Sequence, residues 1–151
     1  MATVSVTQDI SAPAELVWAL VTDLPRMGEW SPENLGGEWV KGATGAAVGA
    51  RFKGRNKNGS KAWSTSVKVN EVDAPKKFSF ALIALGKNWC DWVYEVTPTG
   101  TGCTVTHSWI DHRSKFADRL GKLVSGVSDR AEHNRRNMEA TLKNLKAAAE
   151  N

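Results

Sequence analysis

The stretch Phe116-Ala-Asp-Arg-Leu120-Gly-Lys-Leu-Val-Ser-Gly126-Val-Ser-Asp-Arg-Ala-Glu-His-Asn134-Arg-Arg-Asn-Met138-Glu-Ala-Thr-Leu142-Lys-Asn-Leu145-Lys-Ala-Ala-Ala149 decides the fold. Phe116, Leu120, Leu123, Val127, Ala131, Asn134, Met138, Leu142, Leu145 and Ala149 step by three or four residues, the period of one helix face. Gly121 and Gly126 interrupt the pattern, which predicts a short helix, a break and then a long helix of about 22 residues, about 33 Å at 1.5 Å per residue. No other segment forms a helix of that length, so the long helix cannot sit in a bundle. It must lie across a sheet and close it.

The rest of the chain supplies that sheet. Val4-Ser-Val6-Thr-Gln8-Asp-Ile10 mostly alternates apolar and polar residues, as a half-buried strand does. Ser11 is the expected cap of a short helix with Pro13 and Glu15 in its first turn; Val17, Leu20, Val21 and Leu24 form its buried stripe, and Pro25 ends it. A helical turn follows at Met27–Trp30, then a glycine-rich stretch from Gly36 to Gly49 with a short strand near Glu38–Lys41. From Val48 onward strands alternate with turn signals at Asn56–Gly59, Asp73–Lys76, Leu85–Asn88 and Pro98–Gly102. Three hairpin registers are expected: Phe52 opposite Thr65 with Gly54 opposite Trp63; Val69 opposite Phe80 with Val67 opposite Leu82; and Val96 opposite Cys103, which aligns Tyr94 with Val105, Trp92 with His107 and Cys90 with Trp109. All three turn one aromatic face inward. The expectation is a single α+β domain over residues 1–151, with a curved antiparallel sheet of six to seven strands wrapped around the C-terminal helix.

Composition and charge narrow the function. The 151 residues are 41% hydrophobic and 24% charged, an ordinary globular mixture with enough length for one sizeable core and an internal cavity. The longest apolar run, Phe80–Leu85, falls far short of the roughly 18 residues that span a bilayer, and the N-terminus carries no signal pattern, so a cytoplasmic location is expected. Residues 1–112 hold 11 basic and 11 acidic side chains, whereas residues 113–151 hold 9 and 5, so the net charge of +4 resides in the C-terminal segment. Arg51, Lys53, Arg55, Lys57 and Lys61 form a second basic stretch. Solvated strand and helix faces explain both, while contact with RNA or an anionic membrane through the basic C-terminal segment stays open; no DNA and no obligate protein partner is inferred.

Four pieces of sequence carry a resemblance: Ile10-Ser-Ala-Pro-Ala-Glu-Leu-Val-Trp18 with Asp23, Trp30-Ser-Pro32, Val48-Gly-Ala-Arg-Phe52-Lys-Gly-Arg-Asn56, and Met138-Glu-Ala-Thr-Leu142-Lys-Asn-Leu145. In this order and spacing they resemble the START-like (SRPBCC, helix-grip) superfamily, specifically its polyketide cyclase/dehydrase and lipid-transport family. The resemblance covers essentially the whole chain. It implies a deep cavity between sheet and terminal helix for a hydrophobic molecule, with Trp30 and the segment Arg113–Gly126 at its mouth. It does not imply a reaction, because such a fold hosts carriers and enzymes alike.

Most catalytic chemistry is excluded by spacing. His107 and Asp111 share a face but lie about 13 Å apart along a strand, too far to hold one metal ion, and His112 points to the other side. No metal site and no cofactor is expected. Cys90 and Cys103 fall about 20 Å apart in the expected register, too far for a bridge. Neither a phosphate loop nor a nucleophile elbow is present. What remains is seven Trp, four Phe and one Tyr. Phe52, Trp63, Phe80, Trp92, Tyr94 and Trp109 fall on the expected inner face and Met138 on the helix above it, as ligand contacts; Trp18, Trp39 and Trp89 are assigned to packing or surface. Two polar residues interrupt the apolar pattern. His107 lies within a strand between Val105 and Trp109 on its face, and Asn134 lies on the buried helix stripe. Satisfaction by the backbone is the plainer reading of a buried His; the functional reading is that both orient an apolar ligand. His107 and Tyr94 are also the candidates for acid–base work in a ring closure or dehydration. The expected function is binding or carriage of a lipid, polyketide or isoprenoid, with a polyketide cyclase/dehydratase, or a ribosome/RNA or membrane docking module, as alternatives.

Overall fold

A computed structural model describes residues 3–151. Seven strands form one antiparallel sheet: β1 (Thr3–Ile10), β2 (Asn34–Val40), β3 (Arg51–Asn58), β4 (Lys61–Asp73), β5 (Lys77–Ala84), β6 (Lys87–Pro98) and β7 (Cys103–Asp111). Their order is β1-β7-β6-β5-β4-β3-β2, so the chain crosses from one edge to the other after β1 and returns by hairpins. Helix α1 (Ala14–Val21) and a 3-10 helix (Leu24–Glu29) make that crossing; α2 (Lys115–Ser125) and α3 (Arg130–Glu150) follow the last strand.

The break between α2 and α3 sits where the glycines place it. The Ser114 hydroxyl accepts from Ala117 N at the start of α2, and Gly126, at φ +72, closes the helix in the left-handed conformation that a side chain disfavours. Asp129 then caps α3 by accepting from Glu132 N at 3.2 Å. The cap expected of Ser11 is not there. Pro13 occupies that position without a side-chain bond, and the Ser11 amide donates instead to the Glu150 carboxylate, tying the two ends of the fold together.

Two of the three registers slip by two residues. Phe52 pairs with Val67 and Gly54 with Thr65, because the β3–β4 turn is Gly59-Ser60, with Gly59 at φ +60, rather than Asn58-Gly59. Val96 pairs with Val105, Tyr94 with His107, Trp92 with Trp109 and Cys90 with Asp111, because both strands run on to a turn at Thr99–Gly102. The β4–β5 register is as expected. An even slip preserves the side-chain faces, so the inner face keeps its residues while their neighbours change. Gly54 accordingly makes room for Thr65, whose hydroxyl would lie 2.8 Å from an added Cβ, and not for Trp63.

The two halves of α3 do different things. Its C-terminal half, with Leu142, Leu145 and Ala149 buried, packs into the main core beside Val17, Phe78, Val96 and Val105. Its N-terminal half touches the sheet through Met138, buried with Val4, Cys90 and Trp109 in a second, smaller cluster, and spans a gap beside that contact. Helix α2 also departs from the expected stripe, since Ala117 and Ser125 are buried while Phe116 and Leu123 are 67% and 72% exposed. The helix is rotated so that Phe116 and Leu123 point outward while Ala117, Leu120 and Ser125 face the protein.

Candidate ligand cavity

The gap beneath the N-terminal half of α3 is a cavity of about 350 Å³. That is near the lower end of the roughly 300–1,000 Å³ typical of small-molecule sites. The inner face of the sheet forms its floor, Asn134, Asn137 and Met138 of α3 its roof, and Leu120, Gly121 and Val124 of α2 one side. Pro32 and Val124 line it and are exposed, so there it meets solvent.

Nine of the ten residues expected to contact a ligand line this space: Phe52, Trp63, Phe80, Trp92, Tyr94, His107, Trp109, Asn134 and Met138. Trp30 does not. Instead of standing at the mouth it is 3% exposed within the core, its carbonyl accepting from Asn144 Nδ2 at 3.0 Å and its ring covered by the Arg26 guanidinium. Its neighbours Met27, Ser31 and Pro32 take the lining position. Trp18 and Trp39 pack edge-on against Phe78 and Phe52, as assigned.

Trp89, expected in packing or at the surface, lines the cavity. Leu82 pairs with Cys90 and Ile83 with Asn88, leaving Trp89 as the extra residue of a β-bulge. A bulge breaks the two-residue alternation, so an odd-numbered residue can share the inner face with even-numbered ones. No sequence signal marks it.

Across β6 and β7 the rings stack. Tyr94 and His107 lie nearly parallel with centroids 3.9 Å apart; Trp92 stacks on His107 at 5.5 Å and leans on Trp109 at 6.3 Å. His107 is almost fully buried, and its Nδ1 donates to the Val93 carbonyl at 3.0 Å. A carbonyl can only accept, so Nε2 is left with its lone pair. Burial pushes the imidazole down to about 4, outweighing the upward pull of the Val93 bond. At neutral pH it is uncharged. Burial also raises the Tyr94 hydroxyl well above its ordinary value, with no hydrogen bond to moderate the shift. Because no buried side-chain nitrogen or oxygen among the described residues lacks a partner, that hydroxyl opens onto the cavity as a donor.

The second polar point is on the roof. The Asn134 oxygen accepts from Arg130 Nη1 at 3.3 Å, which orients the amide and leaves its NH₂ to face the cavity. Arg130 is fixed in turn by Glu33 at 3.0 and 3.2 Å, and His133 Nε2 bonds the same carboxylate at 2.8 Å. This cluster pins the start of α3 to the segment before β2 and was not expected. The i,i+4 spacing of Arg130 and Asn134 was visible, but nothing local points to Glu33. At the α2 end Arg113 lies over Trp109 and is held by Asp111 at 2.9 and 3.1 Å, and by Asp118 at 3.3 Å.

Neither cysteine is activated as a nucleophile. Burial pushes the Cys90 thiol up to about 12 and raises Cys103, and both thiols are free. Among the described residues no cluster of three or more metal-ligating side chains occurs, and no helix is long and apolar enough to cross a membrane.

Comparison with known proteins agrees with this fold. The profile of a family described as "Polyketide cyclase / dehydrase and lipid transport" matches residues 1–150. Among solved structures, protein CV1439 from Chromobacterium violaceum superposes with a TM-score of 0.72 at 14% identity, covering 99% of this chain and 98% of that one. Protein MLL2253 from Mesorhizobium loti gives 0.68 at 19% identity over 97% and 95%. The Polyketide_cyc-like protein Cgl2372 from Corynebacterium glutamicum gives 0.57 at 28% identity over 98% and 88%. No curated protein matches the sequence.

Proposed function

The chain belongs to the polyketide cyclase/dehydrase and lipid transport family, and from that premise we propose that its cavity binds one small hydrophobic molecule of lipid, polyketide or isoprenoid type. A single observation carries the reading: the protein's own rings border a space of about 350 Å³ without filling it. Close-packed interiors hold few voids larger than a water molecule, so a hollow this large is room for a small molecule. Flat indoles supply apolar area, while the Asn134 NH₂, the Tyr94 hydroxyl and His107 Nε2 supply the few polar contacts that orient a ligand.

Binding is favoured over acid–base catalysis. An imidazole with a pKa of about 4 is a weak base at neutral pH, and a tyrosine held above its ordinary pKa gives up its proton reluctantly. Tyr94 and His107 therefore serve as hydrogen-bonding groups.

Titration with the dye 1-anilinonaphthalene-8-sulfonate, read by quenching of the lining indoles, tests the proposal. One saturable site is expected. Thr65→Trp, which adds an indole beside Gly54 on the inner face, is expected to weaken it by about tenfold or more. Multiple weak sites that Thr65→Trp leaves unchanged would place the dye elsewhere and remove the support.

A further inference from the structure

Helix α2 is amphipathic, and its apolar side faces the wrong way for a core. Phe116 and Leu123, one above the other on the helix, are 67% and 72% exposed, and Val124 beside them is 43% exposed. The helix meets the protein through buried Ala117 and Ser125, and Leu120 and Val124 border the cavity. A second apolar point stands at the β5–β6 turn. Leu85 and Gly86 are its central residues, both with positive φ (+53 and +73), a geometry that favours Asn or Asp before Gly. Leu85 holds the unfavourable position and is 72% exposed. The two features border the same cavity, since Ile83 and Ala84 line it together with Leu120 and Val124.

The ring around these residues is basic. Lys115, Arg119 and Lys122 flank the apolar stripe of α2, and Lys87 follows Leu85. The only acid between Arg113 and Ser128 is Asp118, already engaged by Arg113 and Lys122. Among the described residues Lys87, Lys115 and Arg119 form no ion pair.

We infer that α2 and the β5–β6 turn dock the protein on an anionic lipid bilayer, with Phe116, Leu123 and Leu85 entering the acyl boundary and the basic ring meeting the headgroups. An apolar stripe edged by lysine and arginine is the pattern of a helix that lies in a membrane interface. A second copy fits less well, because a two-fold contact would set each basic ring against its own image. Docking this way puts the α2 side of the cavity against the lipid. The delivery of a ligand rests on the cavity-binding reading, whereas the docking does not.

Flotation of the full chain with phosphatidylcholine vesicles, with and without phosphatidylglycerol, separates the outcomes. Binding is expected to need the anionic lipid and to be lost near 1 M salt, where screening acts within about 3 Å. The double variant Phe116→Asp/Leu123→Asp is expected to bind about tenfold less or weaker, and Leu85→Asn to bind less while gaining stability from its turn. Both positions are exposed, so folding should survive, and circular dichroism checks it. No flotation, equal binding to neutral vesicles, or unchanged binding by the double variant each overturns docking at α2. So does a dimer in sedimentation that the double variant dissolves. Thr65→Trp should float like the parent, which distinguishes failure of docking from failure of the cavity reading.

Discussion

Leu145→Ala is expected to lower the unfolding free energy by about 3 kcal/mol, or the melting temperature by about 10 °C. Leu145 is fully buried in the core where the C-terminal half of α3 meets the sheet and α1. Removing its isobutyl group opens a hole that neighbours on a rigid sheet cannot close, so a cavity cost adds to the transfer term. The division of α3 into a fastening half and a roofing half adds a second expectation. Dye affinity per folded molecule should be nearly unchanged, because Leu145 does not border the ligand cavity. Urea denaturation gives the first quantity and the dye titration the second. A loss below about 1 kcal/mol would mean that the helix is fastened elsewhere.

The second large effect is a pH dependence set by His107. The unfolded imidazole titrates near its ordinary 6.5 and the folded one near 4. Between these values the unfolded chain binds a proton that the folded chain refuses, so stability falls as pH falls, is fully present above about 6.5 and levels off below about 4. Over that window the shift is worth about 3 kcal/mol. His107→Phe keeps a ring stacked on Tyr94 but cannot titrate, so its stability should fall less steeply across the window. The wild-type-minus-variant difference isolates the group, because other carboxylates and histidines titrate in both proteins. Parallel profiles would mean that burial beside Tyr94 and Trp92 does not hold the His107 imidazole neutral.

Much of this was legible in the sequence because it depends on periodicity. The three-and-four spacing from Phe116 to Ala149 announced α2 and α3, and Gly126 announced the break. Strand alternation placed Trp63, Trp92, Tyr94, His107 and Trp109 on one face even though two hairpins slipped, since an even slip leaves parity intact. What escaped was decided by single events without a period. The bulge at Trp89 turned a ring inward, and the Glu33–Arg130–His133 cluster joined positions about a hundred residues apart. Phe116 and Leu123 obeyed the helical period, yet the helix turned them outward because Ala117 and Ser125 could approach the protein more closely. Trp30 was placed by resemblance and belongs to the core.

Native mass spectrometry of protein purified from its own host most directly tests whether the hollow is a binding site. The expected spectrum contains a one-to-one adduct with a hydrophobic compound that collisional heating releases intact and that Asn134→Leu or Thr65→Trp abolishes in folded protein. A bare mass under every gentle condition, joined to a crystal structure in which Trp63, Trp89 or Trp92 swings in to fill the space, would contradict it.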